Sequence, residues 1–333
     1  MKILDRGYWI SLHFYWQSLY HYFKGCIKFR SFTYFSICNP SIDLGGMLDD
    51  RKTDIYALLP KNIVPITTII TSLSATKAFI KNNNLAFPFI IKPNVGLKGY
   101  KVTKIRDAKE LDHFLDNHDV SEREWLFQEY LDHHKEYAVL FYKYPTSKKY
   151  GIHSFIEKVY PYVIGDGKSQ LEDLINDYKN PFLEKDSVFK KFENRLSEVP
   201  KEGEKITLDV IGNYSRGAKF YNRIDCVNHK MENMLSDIFQ NVEGLNFFRI
   251  DFKANSIEDF LQGNFKILEI NGMKSEPLHI YDPQSSFKTN KETIKKHWEI
   301  VAGIVCEQRK VMKDFPSLKH GLKALLSIKK LTR

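Results

Sequence analysis

Two short segments late in the chain alternate apolar and polar residues, which is typical of β-strands with one buried face. They are residues 248–252 (FRIDF) and 266–271 (KILEIN). Side chains two positions apart in a strand point to the same side, so Arg249 lies beside Asp251 and Glu269 beside Asn271. If the strands pair as a hairpin, one surface carries a guanidinium, two carboxylates and a carboxamide. Mg²⁺ is usually bound by one or two carboxylates together with substrate phosphates, so the pattern favours a magnesium site. The alternative is a hairpin whose charged residues face solvent.

The composition is that of an ordinary globular protein. With 333 residues, 43% hydrophobic and 27% charged, the chain has room for two or three lobes with sizeable cores. It contains no run of about 18 apolar residues, as a membrane-spanning helix needs, and its N-terminal region lacks the pattern of a signal peptide. The four cysteines are scattered without C-x-x-C spacing, which argues against a zinc site or a disulfide framework. We therefore expect a cytoplasmic protein.

The net charge of +9 is concentrated at the two ends of the chain. Residues 1–85 contain ten Lys and Arg against five Asp and Glu, and residues 316–333 contain five Lys and Arg and no acid. Basic ends on a nearly neutral body favour contact with an anionic surface over a nucleic-acid groove through the middle of the protein.

Both ends are also amphipathic. Residues 1–40 hold twelve Phe, Tyr and Trp among basic residues, and such a segment could lie on a membrane surface. The alternative, which we favour, is that this segment packs on the body as a helical N-terminal cap. Residues 316–333 place Leu318, Leu322, Leu325 and Leu326 on one side of a basic helix.

The pattern divides the chain into four parts: an N-terminal segment (1–85), a lid subdomain (86–148), a C-terminal subdomain (149–315) and the basic tail (316–333). The lid is predicted from a strand ending at Lys92, a turn with glycines, a second strand, a helix, and two further strands over 125–131 and 137–144. The helix is expected to begin with a capping box from Asp107 to Glu110.

A glycine-rich turn at 165–169 (GDGKS) is similar to a phosphate-binding P-loop, but Tyr162 stands where that motif needs glycine. We therefore interpret it as a strand-to-helix turn in which Ser169 and Glu172 cap the helix. The charged residues 179–204 have few strong signals, which favours a loop or an insertion.

Four features then occur in a fixed order. Lys92 precedes the glycine turn, Glu129 ends a strand seven residues before Glu136, and the Arg-x-Asp and Glu-x-Asn pairs of the two late strands follow. This order and spacing resemble the ATP-grasp superfamily, most closely the D-alanine–D-alanine-ligase-like branch of carboxylate–amine ligases, over about residues 50–285. The resemblance implies an α+β ATP-grasp fold, with two α+β lobes enclosing the nucleotide. A short aromatic segment stands here in place of the N-terminal domain of those ligases.

The resemblance also implies the residues that bind ATP. They are Lys52, Lys92, Gly96, Gly99, Glu129, Leu131 and Glu136. Lys92 would contact the α- or β-phosphate, and the two glycines would let backbone N–H groups approach the triphosphate. Glu129 and Leu131 match the hinge that meets adenine, and Glu136 matches the residue that binds the ribose hydroxyls. For Lys52, a position on a surface helix is the alternative.

The late strands would then supply the metal site. Asp251, Glu269 and Asn271 would hold Mg²⁺, with two ions expected and Mn²⁺ as an alternative metal. Arg249 would hold the oxygens of an acyl-phosphate, a bidentate task that suits a guanidinium. Family chemistry implies that a small-molecule carboxylate attacks ATP to give this acyl-phosphate and that an amine or thiol then displaces the phosphate.

A loop at 212–220 (GNYSRGAKF) is expected on the substrate side. Arg216 and Lys219 are its candidate catalytic cations, with a solvated loop as the alternative. Ser275, Glu276 and His279 follow the second metal strand directly and are candidates for lining the acceptor site.

Two other interpretations remain open. The same nucleotide site could serve a small-molecule kinase, which would phosphorylate a hydroxyl. The chain could instead be a nucleotide-sensing module that binds ATP without turnover and lies against an anionic membrane through its ends, in which case the cytoplasmic protein would be peripheral at the inner membrane surface.

Overall fold

The computed structural model describes residues 6–48, 51–96, 102–120 and 123–331. These ranges form a mixed α+β structure. The helices are α1 (Arg6–Phe29), α2 (Lys52–Ala57), α3 (Leu73–Asn82), α4 (Ala108–Asn117), α5 (Leu171–Asp177), α6 (Lys185–Lys191), α7 (His229–Phe239), α8 (Ile257–Leu261), α9 (Phe287–Gln308) and α10 (Leu318–Leu331). The strands are β1 (Thr67–Ile69), β2 (Phe89–Pro93), β3 (Thr103–Ile105), β4 (Trp125–Glu129), β5 (Lys135–Lys143), β6 (Tyr150–Val159), β7 (Tyr162–Ile164), β8 (Lys205–Thr207), β9 (Lys219–Asn222), β10 (Phe247–Ala254) and β11 (Lys266–Asn271).

The central sheet has the order β11-β10-β5-β6-β9, and each neighbouring pair is antiparallel. The predicted hairpin is confirmed, because β10 pairs with β11 in a register that sets Arg249 opposite Asn271 and Asp251 opposite Glu269. A β-bulge follows Asp251. The polar side chains of both strands therefore meet on one face of the sheet.

The opposite face of the central sheet packs against α7 and α8. Phe248, Ile250 and Phe252 alternate with the charged residues of β10 and are fully buried in this core. The apolar stripe of α7 covers them through residues spaced three or four apart. Each fully buried phenylalanine contributes roughly 1.5–3 kcal/mol. This burial fixes the register and obliges Arg249 and Asp251 to face the other way.

The polar face is covered at one end by α1, α9 and the segment 272–286. Ile10 and Phe14 of α1 pack with Ala138 of β5 and Ile156 of β6, while Leu140 packs with residues of α9. The prediction that the aromatic N-terminus packs on the body as a helix is thus confirmed for one side of α1.

A smaller sheet of order β1-β4-β2-β3, with α3 and α4, forms the lid lobe. The predicted cap of α4 is present, since the Asp107 side chain accepts a hydrogen bond from Glu110 N at 2.9 Å. Membership of this lobe differs from the prediction in two strands. Strand β1 joins it by pairing with β4, and β5 lies in the central sheet instead. Strand β5 is buried on both faces over most of its length, which suits a central strand of a sheet that is covered on both faces, and β10 and β6 pair with its two edges.

Residues 162–208 form a small unit with a core of their own, built from α5, α6, β7 and β8. The prediction of a loop over 179–204 is wrong over α6, whose Val188 is buried in that core. Ser169 does not cap α5, because Asp166 binds its N–H at 2.7 Å and its hydroxyl at 2.7 Å. Those bonds lower the pKa of Asp166 to about 2.

Three buried histidines lie together between the central sheet and α9. The ring centroid of His153 is 5.7 Å from that of His297 and 6.3 Å from that of His279. The ring nitrogens of His279 lie 2.8 Å from Ser154 Oγ and 3.1 Å from Thr293 Oγ1. Burial lowers the pKa of all three histidines, to about 4 for His279 and about 3 for His297.

We expect the free energy of unfolding to fall as the pH drops below about 6.5, where free histidine becomes protonated. The unfolded chain then binds protons that the folded chain does not, so each of the three histidines lowers stability by roughly 1.4 kcal/mol per pH unit until its folded pKa is reached. Urea unfolding at pH 7.5 and at pH 5.5 would measure a loss of roughly 4 kcal/mol. The exposed-histidine variant His229→Gln should keep that loss, whereas His279→Gln should reduce it by about a third. Equal stability at the two pH values would contradict this assignment.

Candidate active site

The Arg249 and Asp251 side chains form a bidentate ion pair on the polar face of the central sheet. Arg249 Nε lies 2.7 Å from Asp251 Oδ1, and its Nη2 lies 3.2 Å from Oδ2. With the Asn271 amide turned so that its oxygen faces the guanidinium, Asn271 accepts from Arg249 Nη2 at 3.2 Å and donates to Glu269 Oε1 at 3.3 Å. The four side chains predicted to form the metal site and its neighbouring cation are therefore in mutual contact.

Lys158 of β6 extends this cluster across the sheet. Its Nζ lies 2.7 Å from Glu136 Oε1 and 3.1 Å from Asp251 Oδ2, and its side chain is only 5% exposed. Glu136 stands directly opposite Lys158 in the β5–β6 register, which accounts for the short contact. The second oxygen of Glu136 accepts from the Tyr160 hydroxyl at 2.7 Å.

Burial and charge act in opposition on these groups. Burial raises the pKa of Asp251, but Arg249 and Lys158 bring it below its usual value. Burial likewise lowers the pKa of Lys158, yet Asp251 and Glu136 raise it above the ordinary lysine value. The pKa of Arg249 is also raised, since Asp251 outweighs the effect of burial. Lys158, Arg249 and Asp251 are therefore fully charged at neutral pH.

Lys92 reaches this cluster from the lid lobe. Burial lowers its pKa to about 8, and Glu269 opposes that shift. Its Nζ lies 3.3 Å from the hydroxyl of Tyr56 on α2. Gln128 of β4 donates to the same hydroxyl at 3.3 Å, and that hydroxyl donates to the Leu268 carbonyl of β11 at 2.6 Å. Tyr56 thus connects the lid strands with the second metal strand and directs Lys92 toward Glu269.

Lys52 holds the turn that follows Lys92. Its Nζ lies 3.3 Å from each of three carbonyl oxygens, those of Pro93, Asn94 and Gly96. Among the described residues, a Cβ at Gly96 would come within 4 Å of Pro93 alone, at 3.5 Å. The predicted contact at Gly99 lies outside the described residues. The ammonium of Lys52 therefore fixes the start of the glycine turn.

The predicted adenine hinge lies where β4 leaves the lid lobe. The backbone N–H and one carboxylate oxygen of Glu129 both bond to Ile66, at 2.9 Å each, and Lys266 Nζ is 3.9 Å from that carboxylate oxygen. Leu131 is buried, and its carbonyl accepts from Lys253 Nζ at 3.4 Å. The structure brings Leu131 and Glu136 close to the central sheet, while the Glu129 carboxylate is turned toward β1.

The two candidate cations of the 212–220 loop are placed differently from one another. Arg216 Nε lies 2.8 Å from Asp209 Oδ2, and the charge of Asp209 in turn contributes to raising the pKa of Tyr160. Lys219 stands opposite Val159 in the β6–β9 register. Val159 and Lys158 are neighbours in β6, so their side chains point to opposite faces of the sheet. The exposed side chain of Lys219 therefore points to the face opposite that of Lys158, and the structure does not bring it into the cluster.

The same loop passes against Glu136 at Gly212. A Cβ at this position would lie 2.5 Å from Glu136 Oε1, so only glycine fits without moving that carboxylate. We expect Gly212→Ala to lower the free energy of unfolding by about 1–3 kcal/mol, the usual cost of overpacking, and to weaken nucleotide binding. Gly321→Ala is the steric control: its Cβ would have ordinary contacts from 3.8 Å, and because it lies in α10 the change should leave stability unchanged or raise it by up to about 1 kcal/mol. Urea unfolding and ADP titration measure both effects, and a Gly212→Ala protein as stable as the control would refute the steric argument.

The segment after β11 faces α1. Glu276 accepts hydrogen bonds from the Tyr15 hydroxyl of α1 at 2.7 Å and from the Tyr281 hydroxyl at 2.6 Å, and its charge contributes to raising the pKa of Arg249. Ser275 is buried and its hydroxyl donates to the Asn271 carbonyl. His279, in contrast, is enclosed in the histidine cluster, so of the three candidates Glu276 is the one whose charge acts on the site, through Arg249.

The donor set fits a hard divalent cation. Asp251, Glu269 and Asn271 supply two carboxylates and a carboxamide from paired strands. The described residues contain no group of three or more His, Cys, Asp or Glu side chains placed to hold a metal. A cation bound here would take its remaining ligands from phosphate and water, which is how Mg²⁺ is usually bound.

Comparison with known proteins supports the ATP-grasp resemblance over part of the chain. Residues 49–141 match the family model of the RimK-like ATP-grasp domain, which confirms the predicted resemblance to the ATP-grasp superfamily and the α+β ATP-grasp fold class. That range includes all the predicted nucleotide residues, whereas the metal strands lie beyond it. No curated protein sequence matches the chain.

Solved structures similar to this chain include three ligases. A bifunctional glutathione synthetase from Pasteurella multocida is 14% identical, with a TM-score of 0.43 over 77% of this chain and 37% of that one. The D-alanine–D-alanine ligase from Bacillus anthracis is 13% identical, with a TM-score of 0.42 over 80% of this chain and 68% of that one. The ATP-grasp ligase PsnB is 14% identical, with a TM-score of 0.42 over 75% and 60% of the two chains. This chain thus spans little more than a third of the glutathione synthetase.

Sequence reasoning missed Lys158, Tyr160 and Tyr56. For Lys158 a signal existed, since a lysine in a strand must either face solvent or find buried partners. Tyr160 follows it by two positions and so lies on the same side. No local signal marked Tyr56, because its partners come from three distant strands.

Proposed function

We propose that this protein is an ATP- and Mg²⁺-dependent ligase that activates a small-molecule carboxylate as an acyl-phosphate and transfers the acyl group to an amine. The observation that carries the proposal is the contact of the buried cations Lys158 and Arg249 with the carboxylate of Asp251. Glu269 stands opposite Asp251 in the strand pair, and its charge acts on Lys92 of the lid lobe. The family match over residues 49–141 supports the nucleotide half of the site.

The cations of the site are suited to a triphosphate. Lys92, Lys158 and Arg249 approach one region from two lobes and are all nearly or wholly excluded from solvent, where their charge acts strongly. Without a ligand they are balanced by Asp251, Glu136 and Glu269. We infer that bound phosphate oxygens draw Lys158 and Arg249 away from Asp251 and so free its carboxylate for the metal.

In the proposed reaction, a carboxylate oxygen of the first substrate bonds to the γ-phosphorus of ATP while the bond from that phosphorus to the bridging oxygen of ADP breaks. Bound Mg²⁺ would neutralise charge on the transferred phosphoryl group. Arg249 would then hold the oxygens of the acyl-phosphate by its paired N–H groups. The neutral amine attacks the acyl carbon, phosphate leaves, and the nitrogen loses a proton to form the amide.

The test uses the full chain with ATP, Mg²⁺ and pooled amino acids, short peptides and dicarboxylates. A ligase releases ADP, and hydroxylamine in place of the amine traps the acyl-phosphate as a hydroxamate. ADP release with a phosphorylated alcohol and no hydroxamate would assign the site to a kinase instead. Binding of Mg²⁺ and ADP without turnover of any pool would remove the ligase assignment and leave a nucleotide sensor.

A further inference from the structure

The N-terminal helix α1 is apolar on both of its sides. Its buried side packs on the body through Ile10 and Phe14. Its outward side is also apolar, whereas the outer side of a surface helix is ordinarily polar. The exposed residues on that side are Tyr8, Trp9, Leu12, Tyr15, Trp16, Leu19, Tyr20, Phe23 and Ile27. Trp16 and Ile27 are 70% and 80% exposed, and the helix is roughly 36 Å long.

The charged residues of the helix that carries this apolar face are all basic. Helix α1 contains no acidic residue, and Lys24 and Lys28 lie exposed on its last two turns. The face is also rich in Trp and Tyr, the side chains that prefer the boundary between lipid and water. No helix among the described residues is long and apolar enough to cross a bilayer.

A second helix of the same character begins beside the first. The Thr33 hydroxyl, four residues past α1, donates to the carbonyl of Pro316, and His320 Nε2 lies 2.7 Å from Asp43 Oδ1. These contacts anchor the start of α10 to the turn that follows α1. Helix α10 exposes Leu318, Leu322 and Leu326 at a spacing of four residues, and it too contains no acidic residue.

We infer that the outward faces of α1 and α10 together form a peripheral membrane-binding surface that takes an anionic lipid bilayer. Large exposed apolar patches mark interaction sites, and here the patch is bordered by lysine. A positively charged border with interfacial aromatic residues is complementary to the headgroups and acyl boundary of an anionic leaflet. The helices would lie in the plane of the interface. Since Tyr15 also bonds to Glu276 beside the metal strands, the active site would open close to the bilayer surface.

The primary test is sedimentation of the full chain with vesicles of phosphatidylcholine and phosphatidylserine, compared with vesicles of phosphatidylcholine alone. We expect binding to the anionic vesicles that high salt reverses. Of the four tryptophans, Trp9 and Trp16 are exposed, so binding should shift the tryptophan emission of the wild-type protein to shorter wavelength, and brominated lipids should quench it. This readout depends on no variant and therefore on no assumption about how a variant folds.

Matched variants assign the surface. Trp16→Gln with Phe23→Gln, and separately Lys319→Glu with Lys323→Glu, should each weaken vesicle binding by about 10-fold or more. The control, Ile164→Gln with Val199→Gln, removes two apolar residues of the small 162–208 unit that are 46% and 49% exposed, and it should bind as the wild type does. ATP turnover without vesicles should be the same in all of them.

Three outcomes would overturn the inference. If the wild type does not bind anionic vesicles, the two helices do not form a membrane-binding surface. If it binds neutral vesicles equally well, the lysines do not recognise anionic headgroups. A concentration-dependent dimer in sedimentation velocity that Trp16→Gln with Phe23→Gln dissociates would assign the face to a second copy of the chain.

Discussion

Glu269→Gln is expected to reduce ATP-dependent ligase turnover by about 1000-fold while leaving the fold intact. The change preserves the shape of the side chain and its contact with the Asn271 amide, but it removes one of the two carboxylates that face each other across β10 and β11. A divalent cation stabilises the transferring phosphoryl group by several kcal/mol, so losing a charged ligand has a large effect. Initial rates of ADP release with saturating Mg²⁺ give the measurement.

The matched control is Glu258→Gln on α8, which lies between the same two strands in sequence and is exposed. It makes the same change in charge without touching the site and should keep full activity. A second readout separates metal binding from catalysis: Mg²⁺ should raise the melting temperature of the ADP-bound wild type and of Glu258→Gln, and much less that of Glu269→Gln. If Glu269→Gln retained the metal-dependent increase and lost little activity, the metal would have to lie elsewhere.

Lys158→Met is expected to lower the free energy of unfolding by about 3–5 kcal/mol at neutral pH. Removing the lysine leaves Glu136 with one partner fewer and Asp251 with Arg249 alone, and both carboxylates are buried. An unpaired charge in a dry interior is far more costly than the loss of an exposed pair. Urea unfolding measures the difference, and nucleotide binding should weaken at the same time.

Two further variants test whether this loss comes from unpaired charge. Lys135→Met breaks the pair between Lys135 and Glu157, which joins the same two strands but whose lysine is 47% exposed, and it should cost less than about 1 kcal/mol. Adding Glu136→Gln to Lys158→Met should recover part of the lost stability, because the buried carboxylate that lost its lysine is then neutral, while Asp251 keeps its pair with Arg249. A double variant whose loss is the sum of the two single losses would mean that the two groups do not interact.

Several features of the described structure could be predicted from local patterns in the sequence. Alternation in β10 and β11 placed Arg249 with Asp251 and Glu269 with Asn271, and the pairing of the strands followed from their polar and apolar faces. Local sequence reasoning also predicted the Asp107 cap of α4 correctly. It failed for Ser169, whose hydroxyl is used by Asp166 rather than by the helix it precedes.

The amino-acid sequence by itself determined which side chains share a face of each strand, and hence that two carboxylates, a carboxamide and a guanidinium would meet. Only the tertiary structure decided that β5 separates β10 from β6, that Lys158 reaches both Glu136 and Asp251, and that Lys219 points away from them. The physical reason is that side-chain direction along a strand is fixed by local geometry, whereas the order of strands in a sheet depends on which distant segments can bury one another's apolar faces. For α1, the sequence revealed an aromatic helix, but only packing showed which side it buries and which it leaves exposed.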